Sequence, residues 1–151
     1  MIELLSPAGS FEAMRAAVCN GADAVYLGVE SFNARRGARN FTLQELPEAV
    51  AYCHIRGVKV HLTLNILVGD RELPSAAETV AAAAKAGVDA FIVQDLGMVA
   101  LCKEVAPGVP VHASTQMSIH SLDGVKEAAA MGISRVVLAR ELSAQDIASI
   151  C

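Results

Sequence analysis

The chain has 151 residues, 54% of them hydrophobic and 19% charged, with a net charge of −4. That is enough apolar material for one core, and the acidic balance excludes a global basic field of the kind that gathers nucleic acid, leaving only a local basic patch open. No apolar run approaches the roughly 18 residues of a membrane span, and MIELLSPAG lacks the basic and apolar segments of a signal peptide, so a cytoplasmic protein with no membrane partner is expected.

In chain order, a first strand is expected over about residues 3–5, ending at Ser6, Pro7, Ala8 and Gly9, followed by a helix from Phe11 to about Asn20. A second strand over 24–27 ends at Gly28, and a third over 58–64 ends at Asn65. A fourth over 90–93 ends at Gln94 and Asp95, and a fifth over 111–113 runs into Ser114, Thr115 and Gln116. A sixth over 135–138 ends at Ala139, Arg140 and Glu141. Helices separate them. Thr42–Glu45 and Ser75–Glu78 have capping-box spacing, and Ser143–Asp146 is a shorter-armed version. Pro47 sits awkwardly for a helix that starts at Thr42 and predicts a later or irregular start.

The units repeat. NGADAVYLG, RGVKVHLTLN, AGVDAFIVQD and MGISRVVLAR each place a Gly between a helix end and a β-rich run. Glycine takes a left-handed conformation without steric cost, so Gly21, Gly57, Gly87 and Gly132 read as helix stops.

Strict β–α alternation means parallel strands, arranged either as a barrel or as an open doubly wound sheet. Two strands decide. In the third, Lys59, His61, Thr63 and Asn65 share a face opposite Val58, Val60, Leu62 and Leu64. In the fifth, His112, Ser114 and Gln116 oppose Val111 and Ala113. A sheet covered on both sides would be apolar on both faces. The expected fold is therefore α/β, an incomplete (β/α)8 TIM-type barrel with six β–α units present. Residues 1–151 would form the N-terminal part of one barrel domain, stopping before the last two units of a fold that usually takes about 250 residues. The first and sixth strands would then be open edges, suited to self-association or to cover by a partner.

Ligands of parallel α/β folds bind at the carboxyl ends of strands. Candidate substrate-binding residues there are Asn65 and Arg140, and candidate catalytic residues are Asp95, Ser114, Gln116 and Glu141. The competing readings are helix capping for Ser114 and Thr115 and a structural ion-pair network for the charged groups. Since Arg140 and Glu141 are adjacent, at most one points inward. The loop GVESFNARRGARN is long for a βα connection and carries Arg35, Arg36 and Arg39, a quarter of the twelve Lys and Arg. Guanidinium groups bind phosphate or carboxylate bidentately, so these three are candidate substrate-binding residues, against the alternative of a solvated loop that binds nothing. His61 and His112 lie on inward faces, where a hydrogen-bonded core histidine is the commoner outcome. Cys19, Cys53, Cys102 and Cys151 form no CxxC pair and no zinc spacing, and read as free thiols, mostly buried. No GxSxG elbow, HExxH, P-loop or GxGxxG is present.

Several stretches carry a family resemblance. LLSPAGSFEAMRAAVCNGADAVYLG, FNARRGARNFT, GVKVHLTLNILVGDREL, GVDAFIVQDLG, HASTQMSIH and RVVLARELS, in that order from Leu4 to about Ile147, resemble the N-terminal half of the collagenase-like peptidase family, U32. The family name implies hydrolysis of proteins, including collagen. The resemblance equally implies hydroxylation of bases in transfer or ribosomal RNA, or of the ubiquinone ring. The TLN and HASTQ stretches lie nearest the ribosomal-RNA type. In hydroxylase-like members the resemblance implies an iron–sulfur cluster held by cysteines downstream of RELS, so no cofactor is expected in this chain itself, which would be inactive alone. The expected substrate is RNA or peptide. Hydroxylation is favoured over proteolysis, because hydrolase motifs are missing and an arginine–aromatic loop is present. A non-catalytic binding or structural module is the third reading.

Overall fold

Six parallel strands lie side by side in the order in which the chain makes them. They are β1 (Leu5–Pro7), β2 (Ala24–Gly28), β3 (Lys59–Leu64), β4 (Ala90–Val93), β5 (Val111–Ala113) and β6 (Arg135–Val136). The helices are α1 (Phe11–Cys19), α2 (Leu46–His54), α3 (Leu73–Ala86), α4 (Leu96–Val105), α5 (Leu122–Ala130) and α6 (Ala144–Ile150). This computed structural model describes residues 2–34 and 40–151. No helix among them is long and apolar enough to cross a membrane.

The punctuation of the repeat is chemical. Ser10, Asp95, Ser121 and Ser143 accept backbone N–H bonds in the first turns of α1, α4, α5 and α6. These satisfy donors that a helix start leaves without partners. Gly21, Gly57, Gly87 and Gly132 stand at φ 87, 73, 89 and 81, the left-handed region expected of them. A strand begins two or three residues after each.

One helix start is the later one that Pro47 predicts, and another differs from expectation. Thr42 and Glu45 do form the reciprocal box, with Thr42 N–H donating to Glu45 Oε2 at 2.8 Å and Glu45 N–H to Thr42 Oγ1 at 3.2 Å. The box closes a turn ahead of the helix. The α-helical ladder begins at Leu46 with Pro47 in its first turn, where a missing N–H breaks no helical bond. Ser75–Glu78 is no start at all. Gly69 N–H donates to Glu72 Oε2 at 2.9 Å in a 3₁₀ turn, Asp70–Glu72, and α3 begins at Leu73. β1 also lies later than residues 3–5, because its pairing with β2 aligns Leu5 with Ala24 and Pro7 with Tyr26. A proline is tolerated there because β1 is an edge.

One face of the sheet carries the helices. Val25, Leu27, Val60, Leu62, Leu64, Phe91 and Val93 join a single apolar core with Met14, Leu46, Val50, Val80 and Met98 from α1 to α4. Ala24, Ala90 and Ile92, of the opposite parity, are buried but lie outside that core. A doubly wound sheet would reverse its strand order and place helices on both faces, and neither feature is present. The free face curls inward. Glu3, just ahead of β1, reaches Arg135 of β6 at 2.6 Å and Lys59 of β3 at 3.3 Å. The result is a curled half-barrel of six parallel strands.

Among the described residues β1 pairs only with β2, and β6 only with β5, so each keeps one unpaired edge. Concentration-dependent association is expected in sedimentation velocity. A folded monomer at every concentration would show that both edges are silent.

Candidate binding site at the strand tips

The inward face is polar in layers. At the amino-terminal end lies the Glu3–Lys59–Arg135 fork. Arg135, aided by Lys59, pulls the Glu3 carboxyl down to about 2 against an opposing push from burial. Next come His61 and His112, 2% and 7% exposed, with ring centroids 5.0 Å apart and planes at 87°. Burial lowers both imidazoles, His112 to about 4 with added repulsion from His61 and Arg135. The expectation of hydrogen-bonded core histidines is not met at His61, whose Nδ1 is buried without a partner.

Above the histidines the strand tips enclose a cavity of about 430 Å³. Thr63, Asn65, Ser114, Thr115, Gln116 and Arg140 supply much of its polar wall. Thr63 donates its hydroxyl to Leu27 O at 3.0 Å, so the side chain is fixed across the β2–β3 seam. Asn65 Oδ1 accepts from Ala34 N–H at 3.2 Å, tying the β2 loop to the β3 tip. Ser114 Oγ accepts from Gln116 N–H at 3.2 Å, capping the 3₁₀ turn Thr115–Met117. The capping and cavity-lining readings of Ser114 therefore hold together. Gln116 and Arg140 are exposed at the rim.

The other candidates lie elsewhere. Asp95 Oδ1 accepts from Met98 N–H at 3.1 Å and Oδ2 from Val68 N–H at 3.3 Å, so its oxygens serve the start of α4 and the β3 loop. It does not line the cavity, and neither does Glu141, which is exposed. Arg35, Arg36 and Arg39 lie outside the described residues. The wall residues on either side of that stretch, Asn33, Ala34 and Asn40, all line the cavity.

Tyr26 and Asn33 were not anticipated. Tyr26 could have been found by parity, since it sits two residues before Gly28 and pairs in register with His61. Asn33 carries no periodic signal. Phe32 before it has φ 61, a conformation that costs a side-chain-bearing residue of order 1–3 kcal/mol.

The cysteines do not converge. Cys53 and Cys102 are buried under the sheet and burial pushes their thiols up to about 11 and about 12, while Cys19 and Cys151 are exposed. Thiols so raised are poor ligands and poor nucleophiles. Among the described residues no group of three or more His, Cys, Asp or Glu side chains is placed to hold a metal ion.

A one-sided sheet of six parallel strands, curled into a half-barrel with a cavity at the carboxyl ends of the strands, defines the class of TIM-barrel-like α/β folds. Within that class the chain belongs to peptidase family U32, which matches residues 9–151. It is 39% identical over 145 residues to tRNA hydroxylation protein P1 of Bacillus subtilis, covering 96% of this chain and 34% of the relative. It is 40% identical over 149 residues to a 23S rRNA 5-hydroxycytidine synthase of Escherichia coli, covering 99% and 22%. It is also 36% identical over 149 residues to a collagenase of Porphyromonas gingivalis, covering 98% and 35%. The chain thus spans about a third or less of the length of these relatives. Among solved structures, the U32 peptidase Mk0906 superposes with a TM-score of 0.78 at 15% identity, covering 99% of this chain and 64% of that one.

Proposed function

We propose that this chain supplies the nucleotide-binding cavity of an RNA base-hydroxylating protein, as six of the eight units of a (β/α)8 barrel. The observation that carries the reading is the cavity wall. Side-chain amides and hydroxyls from β3, β5 and their loops converge around a cavity of about 430 Å³, with the Arg140 guanidinium beside it. Amides and hydroxyls pair with the donor and acceptor edges of an extruded base, and a guanidinium at the rim suits the adjoining phosphate. Among the described residues no serine or cysteine side chain hydrogen-bonds a histidine. His54 pairs with Asp89, and His120 with a backbone carbonyl. That leaves serine or cysteine proteolysis without its usual activated pair. The relatives named for tRNA and rRNA hydroxylation agree with the reading. The 36% identity to collagenase carries proteolysis as the second reading.

The test compares a single-stranded RNA oligonucleotide with an uncharged peptide of similar length at two salt concentrations. RNA is expected to bind and to weaken as salt rises, since bound phosphates release counterions. Arg140→Ala is expected to lower the slope of log K against log salt by about 1, one phosphate contact. Peptide binding that survives high salt, with no measurable RNA binding, would overturn the proposal in favour of the peptidase reading.

A further inference from the structure

The part of the cavity wall made by the β2 loop is more constrained than its role as a connection requires. Phe32 stands at φ 61 and the residue is buried, 8% exposed. Its burial holds a backbone conformation that the residue would not otherwise keep. The turn directs Asn33 back toward β2. Asn33 is 4% exposed, its Nδ2 donates to Val29 O at 3.2 Å, and it lines the cavity. A Cβ at Gly28 would lie 2.2 Å from Asn33 Nδ2 and 2.4 Å from its Cγ. The amide therefore occupies space that exists only because residue 28 has no side chain. Beyond it, Ala34 N–H ties the turn to Asn65 of the β3 tip.

Closing a loop turn needs one donor on a short side chain. It needs neither a strained aromatic ahead of the donor nor a glycine cleared beneath it. Both features fix the position of the carboxamide in the cavity wall, and a carboxamide carries a donor and an acceptor side by side.

We propose that Asn33 is a specificity-determining residue of this cavity, its carboxamide held in place by Phe32 and Gly28 so that the wall accepts one nucleobase edge and rejects others. The assignment rests on the reading of the cavity as an RNA site. Discrimination follows because a base edge that mismatches the fixed carboxamide sets donor against donor or acceptor against acceptor.

The experiment measures binding of four single-stranded RNA oligonucleotides that differ in one central base. The proteins are the wild type, Asn33→Ala, Asn33→Asp and Gly28→Ala, each checked by circular dichroism. The wild type is expected to prefer one base by about tenfold or more. Asn33→Ala is expected to bring the four affinities together while the salt slope stays as in the wild type. Gly28→Ala should do the same by displacing the amide without removing it, and Asn33→Asp should lose the preference because a carboxylate cannot donate to Val29 O. Asn33→Ala introduces no clash, so it carries the test if Gly28→Ala fails to fold. A preference that persists in folded Asn33→Ala overturns the assignment, and so does a wild type that binds all four RNAs alike; either leaves the RNA reading standing. A wild type that binds none of the four overturns both.

Discussion

Stability should fall as the pH is lowered from about 6.5 to about 4, by on the order of 3 kcal/mol from His112 alone. Its folded-state pKa is depressed from 6.5 to about 4, first by burial, then by the charges of His61 and Arg135, with Lys59 adding and Glu3 opposing. The unfolded chain therefore binds the proton more tightly than the folded one. Unfolding takes up a proton throughout that window, so stability is full above about 6.5 and declines until both states are protonated. His61 shifts in the same direction and adds to the decline. Glu3 acts in a lower window. Its stabilisation is present above the ordinary carboxylate value of 4.5 and is lost as pH falls toward about 2. Urea unfolding at intervals between pH 4 and pH 7.5 measures the first effect. His112→Phe, which keeps a ring and removes the titration, should leave a much shallower slope. A wild-type midpoint that does not move across the window would show that the imidazoles are not desolvated.

Phe91→Ala should cost about 3–5 kcal/mol, enough to unfold much of the population. Phe91 is fully buried on β4, pairs in register with Leu62 and Val111, and belongs to the core shared with the helices. Truncation removes a ring from a place where strands on both sides are fixed, so the space cannot close. Gln116→Ala at the exposed cavity rim should change stability by less than about 0.5 kcal/mol. Thermal unfolding of the two variants side by side checks the contrast. Equal losses would mean that the helix-facing and inward faces do not differ in the way the packing indicates.

The repeat was readable in the amino-acid sequence because its signals are local. A left-handed residue after a helix favours glycine whatever surrounds it, and Gly21, Gly57, Gly87 and Gly132 obey. The two-residue period of β3 and β5 put His61 and His112 on one face, and their rings meet there. Boundaries were less readable where partners decide them. β1 is set by its register with β2, and α3 by a glycine–glutamate turn that no pattern marked. The site divides in the same way. Asn65, Ser114, Gln116 and Arg140 follow from strand ends and line the cavity. Asp95 has the same sequence credentials, but a carboxylate after a strand also makes a good helix cap, and two backbone N–H groups hold it there. Tyr26 was hidden because AVYLG is apolar enough to suggest no inward face. Asn33 depends on the path of an aperiodic loop.

The fork at Glu3 bears on how the chain assembles. Neighbouring strands are consecutive in sequence, so each β–α unit can dock onto the one before it as soon as it exists. Such nearby pairings are cheap in loop entropy and quick to form. The Glu3–Arg135 link joins residues 132 positions apart and has no meaning until β6 is in place. Lys59 gives the Glu3 carboxylate a nearer partner in sequence, from β3. Arg135 completes the fork from β6, on the far side of the curled sheet from β1. The long-range contact that spans the curl of the sheet thus lies at the end of the molecule opposite the cavity.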